Sequence, residues 1–216
     1  MKIKENKTHQ SWEVIDQPKD SAKVFSLEPN SSLEYLFIIL GSSGQYSIKA
    51  DLGKRAQARI HGLFIGQAQD FINLKVETEH SGLNSQAQVK IHGLLTDQAR
   101  ANFQGRVHIP KEGNQSNAFL EERVLVLSNQ ARSESLPSLE IEAKDVKAGH
   151  AATTGTLDEL NMFYLTSRGL PNSQAASMLI KGFLISAIPS NIIKDHPQIE
   201  QQIESYIDSI KMPNNT

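Results

Sequence analysis

Apolar and polar residues alternate over most of the chain, from about residue 10 to residue 155. Ile48, Ala50 and Leu52 occupy every second position, and the apolar residues of the segment 71–77 do the same. Successive side chains of a β-strand point to opposite faces, so a period of two is typical of a strand with one buried face. The pattern predicts a series of short β-strands in this part of the chain.

The strand pattern also repeats along the sequence. Segment 58–69 recurs as segment 89–100, and a shorter third copy covers 126–132. Repeats of this length are typical of stacked arrays, which favours a parallel β-helix, with a β-sandwich as second choice. Glycines in this region are expected at turns, where a positive φ or close backbone approach is needed. They include Gly53, Gly62, Gly66, Gly82, Gly93 and Gly105.

A helical pattern replaces the strand pattern after Gly155. Thr156 and Glu159 have the spacing of a capping box, which predicts a helix over 157–168 that Gly169 ends. Two more amphipathic helices are expected, one beginning at Pro171 and one covering 199–210. Their predicted apolar faces are Ala175, Met178, Leu179, Gly182 and Phe183 in the first, and Ile199, Ile203, Tyr206, Ile207 and Ile210 in the second.

These patterns divide the chain into two parts. Residues 1–155 are expected to form a β core, with the first ten or so residues flexible, and residues 156–216 a small α-helical unit. The apolar helix faces need a surface to cover, which is either the end of the strand stack or a partner protein.

Composition narrows the possible functions. The chain has no cysteine, which excludes disulfides, a catalytic thiol, thiolate zinc sites and any iron-sulfur cluster held by its own sulfur. A formal net charge of −2 gives no positive field for nucleic acid or anionic lipid. The longest apolar stretch, 33–40, is too short to cross a bilayer, and residues 1–10 do not resemble a secretory signal. A cytoplasmic protein without nucleic-acid or membrane partners is expected.

Candidate chemistry is sparse. The sequence has no phosphate-binding loop, dinucleotide fingerprint, zinc-helix motif or nucleophile elbow, so any ATPase involved must be a separate chain. His61 and His92 hold the same place in the repeat and could bind a metal, although a ladder of side chains bonded to one another or to water is the preferred interpretation. Glu140 and Glu142 could form a carboxylate row of a polysaccharide-cleaving β-helix, or an ordinary solvated strand face.

Several sequence blocks in register carry a family resemblance between about residue 89 and residue 170. They are 93–105, 125–131, 135–147, His150 with Ala152 and Thr153, Gly155 with Leu157 and Asp158, and 163–165 with 167–169. In order and spacing these blocks resemble the SufD branch of the SufB/SufD family of iron-sulfur cluster assembly proteins. The chain is short for that family and free of cysteine.

The resemblance implies a right-handed parallel β-helix followed by helices. In the family the end of the β-helix pairs with SufB or a second SufD copy, and the C-terminal helices dock the ATPase SufC. The ATPase-docking residues implied here are Leu157, Phe163, Tyr164, Arg168, Met178 and Phe183. His150 matches the family histidine that lies at the subunit interface and supports cluster formation.

His150 is thus the candidate cluster-assembly and metal-binding residue. Imidazole can ligate iron or transfer a proton near neutral pH. The alternative is that His150 only bonds the turn between the last strand and the first helix. Ala148 stands where SufD chains often carry cysteine, and Ala151 stands where SufB chains carry glutamate, which disfavours a SufB role.

The leading hypothesis is a non-enzymatic scaffold subunit of iron-sulfur cluster assembly. It would bind no cofactor alone and would meet a cluster only transiently, together with a partner that supplies thiolates. Its partners would be a SufC-like ATPase and either a SufB-like subunit or a second copy of itself. A carbohydrate-active β-helix and a purely structural β-helix are the alternatives.

Overall fold

The structure, a computed structural model, describes residues 1–210. Twelve β-strands precede four α-helices in this range. The strands are β1 Lys2–Ile3, β2 Thr8–Ile15, β3 Ser21–Leu27, β4 Ser32–Leu40, β5 Gly44–Leu52, β6 Gln57–Gly66, β7 Phe71–Glu79, β8 Gln86–Leu95, β9 Arg100–Ile109, β10 Asn117–Val126, β11 Arg132–Ile141 and β12 Lys147–Gly155. The helices are α1 Glu159–Ser167, α2 Asn172–Ile185, α3 Ser190–Asp195 and α4 Pro197–Ser209.

The strands build two parallel sheets. Odd-numbered strands form sheet 1, in the order β1-β3-β5-β7-β9-β11, and even-numbered strands form sheet 2, from β2 to β12. Each turn of the chain therefore adds one strand to each sheet, and consecutive turns stack in parallel. This arrangement confirms the predicted parallel β-helix of about five turns.

The interior of the coil follows the predicted alternation. Ile48, Ala50 and Leu52 are 0–3% exposed, and so are Ile72 and Leu74 on the next strand of sheet 1. Their side chains meet apolar residues of sheet 2 in one continuous core. Burial of this apolar surface is the main favourable contribution to folding.

Two of the glycines predicted at turns have a different role, whereas Gly53 and Gly82 do lie in connections between strands. Gly62 and Gly93 lie inside β6 and β8, and neither has a positive φ. A Cβ atom on Gly62 would lie 2.3 Å from the ring of Phe37, and one on Gly93 would lie 2.1 Å from the ring of Phe64. These glycines make room for an aromatic ring from the preceding turn, so the prediction that they mark turns is wrong.

At the connections between strands, most residues with left-handed backbone conformation are not glycines. The non-glycine residues with positive φ are Asn6, Asn30, Arg55, Ala68, Asn84, Asp97 and Gln115. At one corner their amides link successive turns, as when Asn30 N–H donates to the carbonyl of Lys54 at 2.9 Å. Asparagine tolerates this conformation better than most residues, because its short polar side chain bonds locally.

The strand register differs from the offset of the sequence repeat. Ile60 on β6 pairs with Val89 on β8, 29 positions later in the chain, although its repeat equivalent is Ile91. His61 therefore lies opposite Lys90 rather than His92. The two histidines stay on the same face of the sheet, because the shift is two residues.

The start of the chain is ordered into strands. β1 pairs with β3, and Ile3 is 3% exposed. Residues 8–15 pair with β4 along their whole length. The structure therefore does not support the flexible start expected from the sequence.

The helices cover the outer face of sheet 2. Apolar residues of β4, β6 and β8 point away from the coil interior and form a second core with α2, α3 and α4. Its fully buried members include Leu36, Leu63, Leu94, Ile180, Leu184, Ile192, Ile199, Ile203 and Ile207. The helices therefore cover a broad face of sheet 2 and not the end of the strand stack, which was one of the two surfaces proposed from the sequence. No helix within residues 1–210 has the length and apolar character to cross a membrane.

The helix boundaries predicted from the sequence agree with the structure more closely than the predicted buried faces do. The third predicted helix corresponds to α4, which buries Ile199, Ile203 and Ile207 as expected. On α2, Ala175 is buried as predicted, but the other buried residues are Ile180 and Leu184, whereas Met178 is 59% exposed. The short helix α3 was not predicted, and the predicted unit extends past residue 210 into positions outside the described range.

The start of α1 uses a different cap from the predicted one. Asp158, not Thr156, is the N-cap residue, and its Oδ1 accepts from the amide of Asn161 at 2.7 Å. Carboxylates at this position also interact favourably with the helix dipole. Gly169 has a φ of +93° just after α1, as expected for a residue that ends a helix.

Candidate functional site

The last strands of the two sheets, β11 and β12, leave the coil open. Among the described residues, β11 bonds only to β9 in its sheet and β12 only to β10. No residue of either strand is fully buried, and Leu136 is 57% exposed. We call this region the open end. Long strand edges with unpaired backbone groups are ready templates for pairing with another chain.

The two edges of the open end are not equivalent. Lys147 N–H donates to Ser116 O, so alternation along a parallel strand directs the amides of Gly149, Ala151 and Thr153 to β10 and the intervening ones outward. The same alternation places the nitrogen of Pro137 on the outward side of β11. Proline has no N–H, so β11 is blunted and β12 is the edge better able to add a strand.

His150 lies at this open end. It pairs in register with Leu120 of β10, whose side chain is buried in the coil, so His150 is on the interior side of β12. It is nevertheless exposed, because no further described strand closes the coil over it. All seven histidines fall within residues 1–210, and His150 is the one that is exposed rather than partly or fully buried. Its position leaves the imidazole available to a partner.

The interior of the last turn contains a carboxyl group that was not predicted as a site residue. Glu122 lies on β10 between the inward-facing Leu120 and Val124 and is 1% exposed. Burial raises its pKa to about 7, and the neighbouring Ser135 hydroxyl offsets part of that rise. The signal was present in the sequence, since Glu122 occupies an inward position of the period-two pattern.

The predicted ATPase-docking residues divide into two groups. Phe163 and Tyr164 on α1 are 71% and 58% exposed, and Met178 on α2 is 59% exposed. The guanidinium of Arg168, also exposed, lies 5.2 Å from the centre of the Tyr164 ring, in cation–π range. Leu160, which was not predicted, is 78% exposed.

The other two predicted docking residues face the sheet. Leu157 packs against the core between the helices and sheet 2. The Phe183 ring stacks on His92, with ring centres 4.5 Å apart and planes at 12°. Both are partly covered within this chain, so the exposed surface is centred on α1.

His61 and His92 form neither a ladder nor a metal site. His61 Nδ1–H donates to the carbonyl of Ala187 at 3.0 Å, and His92 Nδ1–H donates to the carbonyl of Phe183 at 2.7 Å. Burial lowers the pKa of both imidazoles. Residues 1–210 hold no group of three His, Cys, Asp or Glu side chains suited to a metal. The preferred prediction of a ladder is wrong, because the end of α2 supplies the partners.

The carboxylates considered for glycoside cleavage are engaged in ion pairs. Arg106 Nε donates to Glu140 at 2.9 Å, and its guanidinium also lies near Glu77. His108 lies 2.7 Å from Glu79 and 3.4 Å from Glu142. This charged ladder crosses β7, β9 and β11 on the outer face of sheet 1 and joins neighbouring turns.

Comparisons with known proteins agree with this architecture. The SufBD core domain of the SUF system for FeS cluster assembly matches residues 21–183. The iron-sulfur cluster assembly protein SufD of Bacillus subtilis is 34% identical over 124 residues, which are 57% of this chain and 28% of that protein. SufD of Escherichia coli is 26% identical over 157 residues, 72% of this chain and 37% of that protein.

A SufBD family protein of Mycobacterium leprae is 38% identical over 105 residues, 48% of this chain and 26% of that protein. The matches cover 26–37% of the length of these relatives. The family match covers well over half of the chain, and it spans the coil from β3 through the open end into α2. The chain therefore belongs to the SufBD family of iron-sulfur cluster assembly proteins.

Proposed function

We propose that this chain is a non-catalytic, cytoplasmic scaffold subunit of iron-sulfur cluster assembly. It pairs through its open end with a SufB-like subunit or a second copy of itself, and it docks a SufC-like ATPase through α1 and the adjoining part of α2. The observation that carries the proposal is a difference in burial. The helices bury the outer face of sheet 2, whereas the edge of β12 and the side chain of His150 stay exposed.

The edge of β12 supports pairing with another subunit. Its outward amides and carbonyls can extend sheet 2 across an interface, in the manner of strand addition. Exposed Leu136 and Ile141 on the neighbouring strand add apolar surface. A partner that closes the open end would bury the coil interior and bring its own residues beside His150.

His150 is proposed to act on the cluster or its precursors at this interface. Imidazole suits iron ligation, but iron-sulfur clusters are held chiefly by thiolates, and this chain has none. The cluster would therefore form transiently, with sulfur ligands supplied by the partner. The chain contributes a rigid support and one imidazole rather than a resident cofactor.

The exposed surface of α1 supports docking of a second protein. Leu160, Phe163 and Tyr164 place three large side chains in solvent on one short helix. Exposed apolar side chains grouped in this way mark interaction surfaces more often than isolated ones. A separate ATPase is the proposed partner because the chain has no phosphate-binding loop of its own.

Coexpression with SufB-like and SufC-like proteins tests the proposal. The three chains are expected to copurify, and Phe163→Ser is expected to release the ATPase while retaining the SufB-like subunit. Phe71→Ser is the control, since Phe71 is 45% exposed on the outer face of sheet 1, away from the helices. Absence of any association among the wild-type chains would overturn the proposal.

The role of His150 has its own test. His150→Ala is expected to keep the folded structure and its partners, because the side chain is exposed, and to lower cluster formation in the reconstituted complex. Cluster formation is followed by visible absorption, and folding by circular dichroism. His9→Ala, a change in β2 at the far side of sheet 2, is the control. An equal cluster yield in both variants would remove His150 from the site.

A further inference from the structure

Three interior positions of the last turn are polar where the turn before it is apolar. Strand register shows which residue of the last turn replaces each interior residue of the turn before it. Glu122 replaces Ile91, Ser133 replaces Ala101 and Ser135 replaces Phe103. A stacked coil gains most from apolar interior columns, so three polar replacements together need an explanation.

These three side chains leave oxygen atoms without partners. Glu122 Oε1, Ser133 Oγ and Ser135 Oγ are buried and form no hydrogen bond of normal geometry among the described residues, although the Ser135 hydroxyl is close enough to Glu122 to lower the pKa of its carboxyl. Glu122 itself is 1% exposed, and burial raises its pKa. An unsatisfied buried carboxyl is costly for the isolated chain and becomes favourable only when a cationic or donor group meets it.

We refer to the inward-facing side chains of Glu122, Ser133 and Ser135 together as the pocket, and their chemistry indicates which group would satisfy them. A metal ion would need several strong ligands, but no trio of His, Cys, Asp or Glu within residues 1–210 is suited to one. The pocket offers one carboxylate oxygen and two hydroxyl oxygens. A lysine ammonium has three N–H donors and one positive charge, so it matches this set in both number and charge.

The pocket is reached from the open end. Ser133 and Ser135 lie on β11 and are only half-buried, because among the described residues no further turn stacks on β11. We propose that the polar interior of the last turn receives the ammonium group of a lysine that a partner subunit inserts when it pairs with the open end. This inference rests on the proposed pairing of coils, and it adds the residue type that the partner must supply.

Association measurements test the proposal. Glu122→Gln keeps the shape of the side chain but removes its charge, and it is expected to weaken binding of the SufB-like subunit, or self-association of the chain, at least about tenfold. Glu134→Gln is the matched control, because Glu134 is exposed on the outer side of β11. Equal affinities of wild type and Glu122→Gln would overturn the proposal, as would equal losses in both variants.

A small-molecule test does not depend on the partner. n-Butylammonium mimics the lysine side chain, and it is expected to raise the Tm of the full wild-type chain but not of Glu122→Gln. This result would support the pocket even if the chain paired with neither proposed partner, which separates the inference from the proposed function. No Tm shift in wild type, or a Glu122-dependent shift with Mn²⁺ and none with n-butylammonium, would overturn the lysine proposal.

Discussion

Two glycine–phenylalanine pairs explain part of the sequence repeat. Gly62 lies under the ring of Phe37, and Gly93 lies under the ring of Phe64 in the next turn. Each ring is almost fully buried and fills the space that a Cβ would occupy. A glycine inside a strand usually weakens it, so close approach of another group is the physical reason for its presence here.

Gly93→Ala is expected to lower the free energy of unfolding by about 1–3 kcal/mol, because the buried Phe64 ring must move. Denaturant unfolding measures this change. Gly155→Ala is the control, since a Cβ there meets nothing within 4 Å, and its effect is expected to stay within about 0.5 kcal/mol. A second change, Phe64→Leu, should relieve part of the loss. Similar stability of both alanine variants would contradict this explanation.

Buried histidines make stability depend on pH. Burial lowers the pKa of His80 to about 4, and its Nδ1 lies 2.8 Å from Ser85 Oγ. The unfolded chain takes up this proton near pH 6.5, so the contribution is complete above that pH and is lost as the pH falls toward 4. The loss amounts to about 3 kcal/mol for His80.

His80→Asn tests this dependence. Between pH 6.5 and pH 4 the variant is expected to lose less stability than wild type, as measured by denaturant unfolding at several pH values. The difference between the two chains isolates His80 from groups that act in the opposite direction, such as His108, whose pKa is raised by Glu79. Parallel curves would show that His80 is protonated as easily in the folded chain as in the unfolded one.

At the residue level, the sequence pattern identified which residues face the interior of the coil. It did not identify every residue with an unusual role there. Alternation correctly placed Ile48 and Leu74 inside the coil. It could not show that Gly93 lies beneath Phe64, because that contact depends on the register of two turns. Glu122 was visible as an inward polar position, but single exceptions to a pattern do not reveal whether a partner group exists.

At the level of secondary-structure elements, the position of the helices is determined by their contact with the outer face of sheet 2. The strand β4 is apolar on both faces, since Phe37 and Ile39 point into the coil while Leu36 and Ile38 point to the helices. A strand buried on both faces gives an unbroken apolar run rather than alternation. Such a run fits a strand that is buried on both faces, but it does not identify which elements cover the outer face.

The face of α2 was harder to predict than that of α4. Apolar residues surround much of α2, so Met178, Leu179 and Phe183 formed as plausible a stripe as Ile180 and Leu184. In α4 the polar residues leave one apolar stripe, and the prediction was confirmed. A helix with apolar residues on several sides takes its orientation from the surface it meets, which sequence periodicity does not describe.

Ile203→Ala is expected to lower the free energy of unfolding by about 2–5 kcal/mol, because Ile203 is fully buried between α4 and sheet 2. Hydrogen exchange should show the loss first in the helices and in β4. Leu160→Ala is the control, since Leu160 is 78% exposed and its removal leaves no cavity. Equal effects of the two changes would mean that the helices do not depend on this core.

For the whole molecule, the repeat predicted the coil and the sequence blocks between residues 89 and 170 predicted its family. The position of the helices on a broad face followed from neither, because it depends on outward apolar residues spread over Leu36, Leu63 and Leu94 in three turns. The open end also required the structure. Only the strand register shows that His150 lies beside Leu120, on the interior side of β12.

Thr154→Pro is expected to block pairing through β12 without loss of stability, because the amide of Thr154 points outward. Thr153→Pro is the matched control, since the amide of Thr153 bonds β10 and its removal should cost about 1–3 kcal/mol. Unfolding measurements and copurification with a SufB-like subunit distinguish the two. Undiminished pairing of the Thr154 variant would exclude the β12 edge as the contact.

The helices on sheet 2 also determine how the coil comes apart. Their apolar faces contact β4, β6 and β8, so the helices hold three successive turns together. The strands β11 and β12 lie outside this contact. On heating, the coil should therefore open first at the end that carries His150. The turns that contain β4, β6 and β8 should separate only with global unfolding. The end of the coil that is proposed to pair with another coil is thus also the part that can open while the rest stays folded.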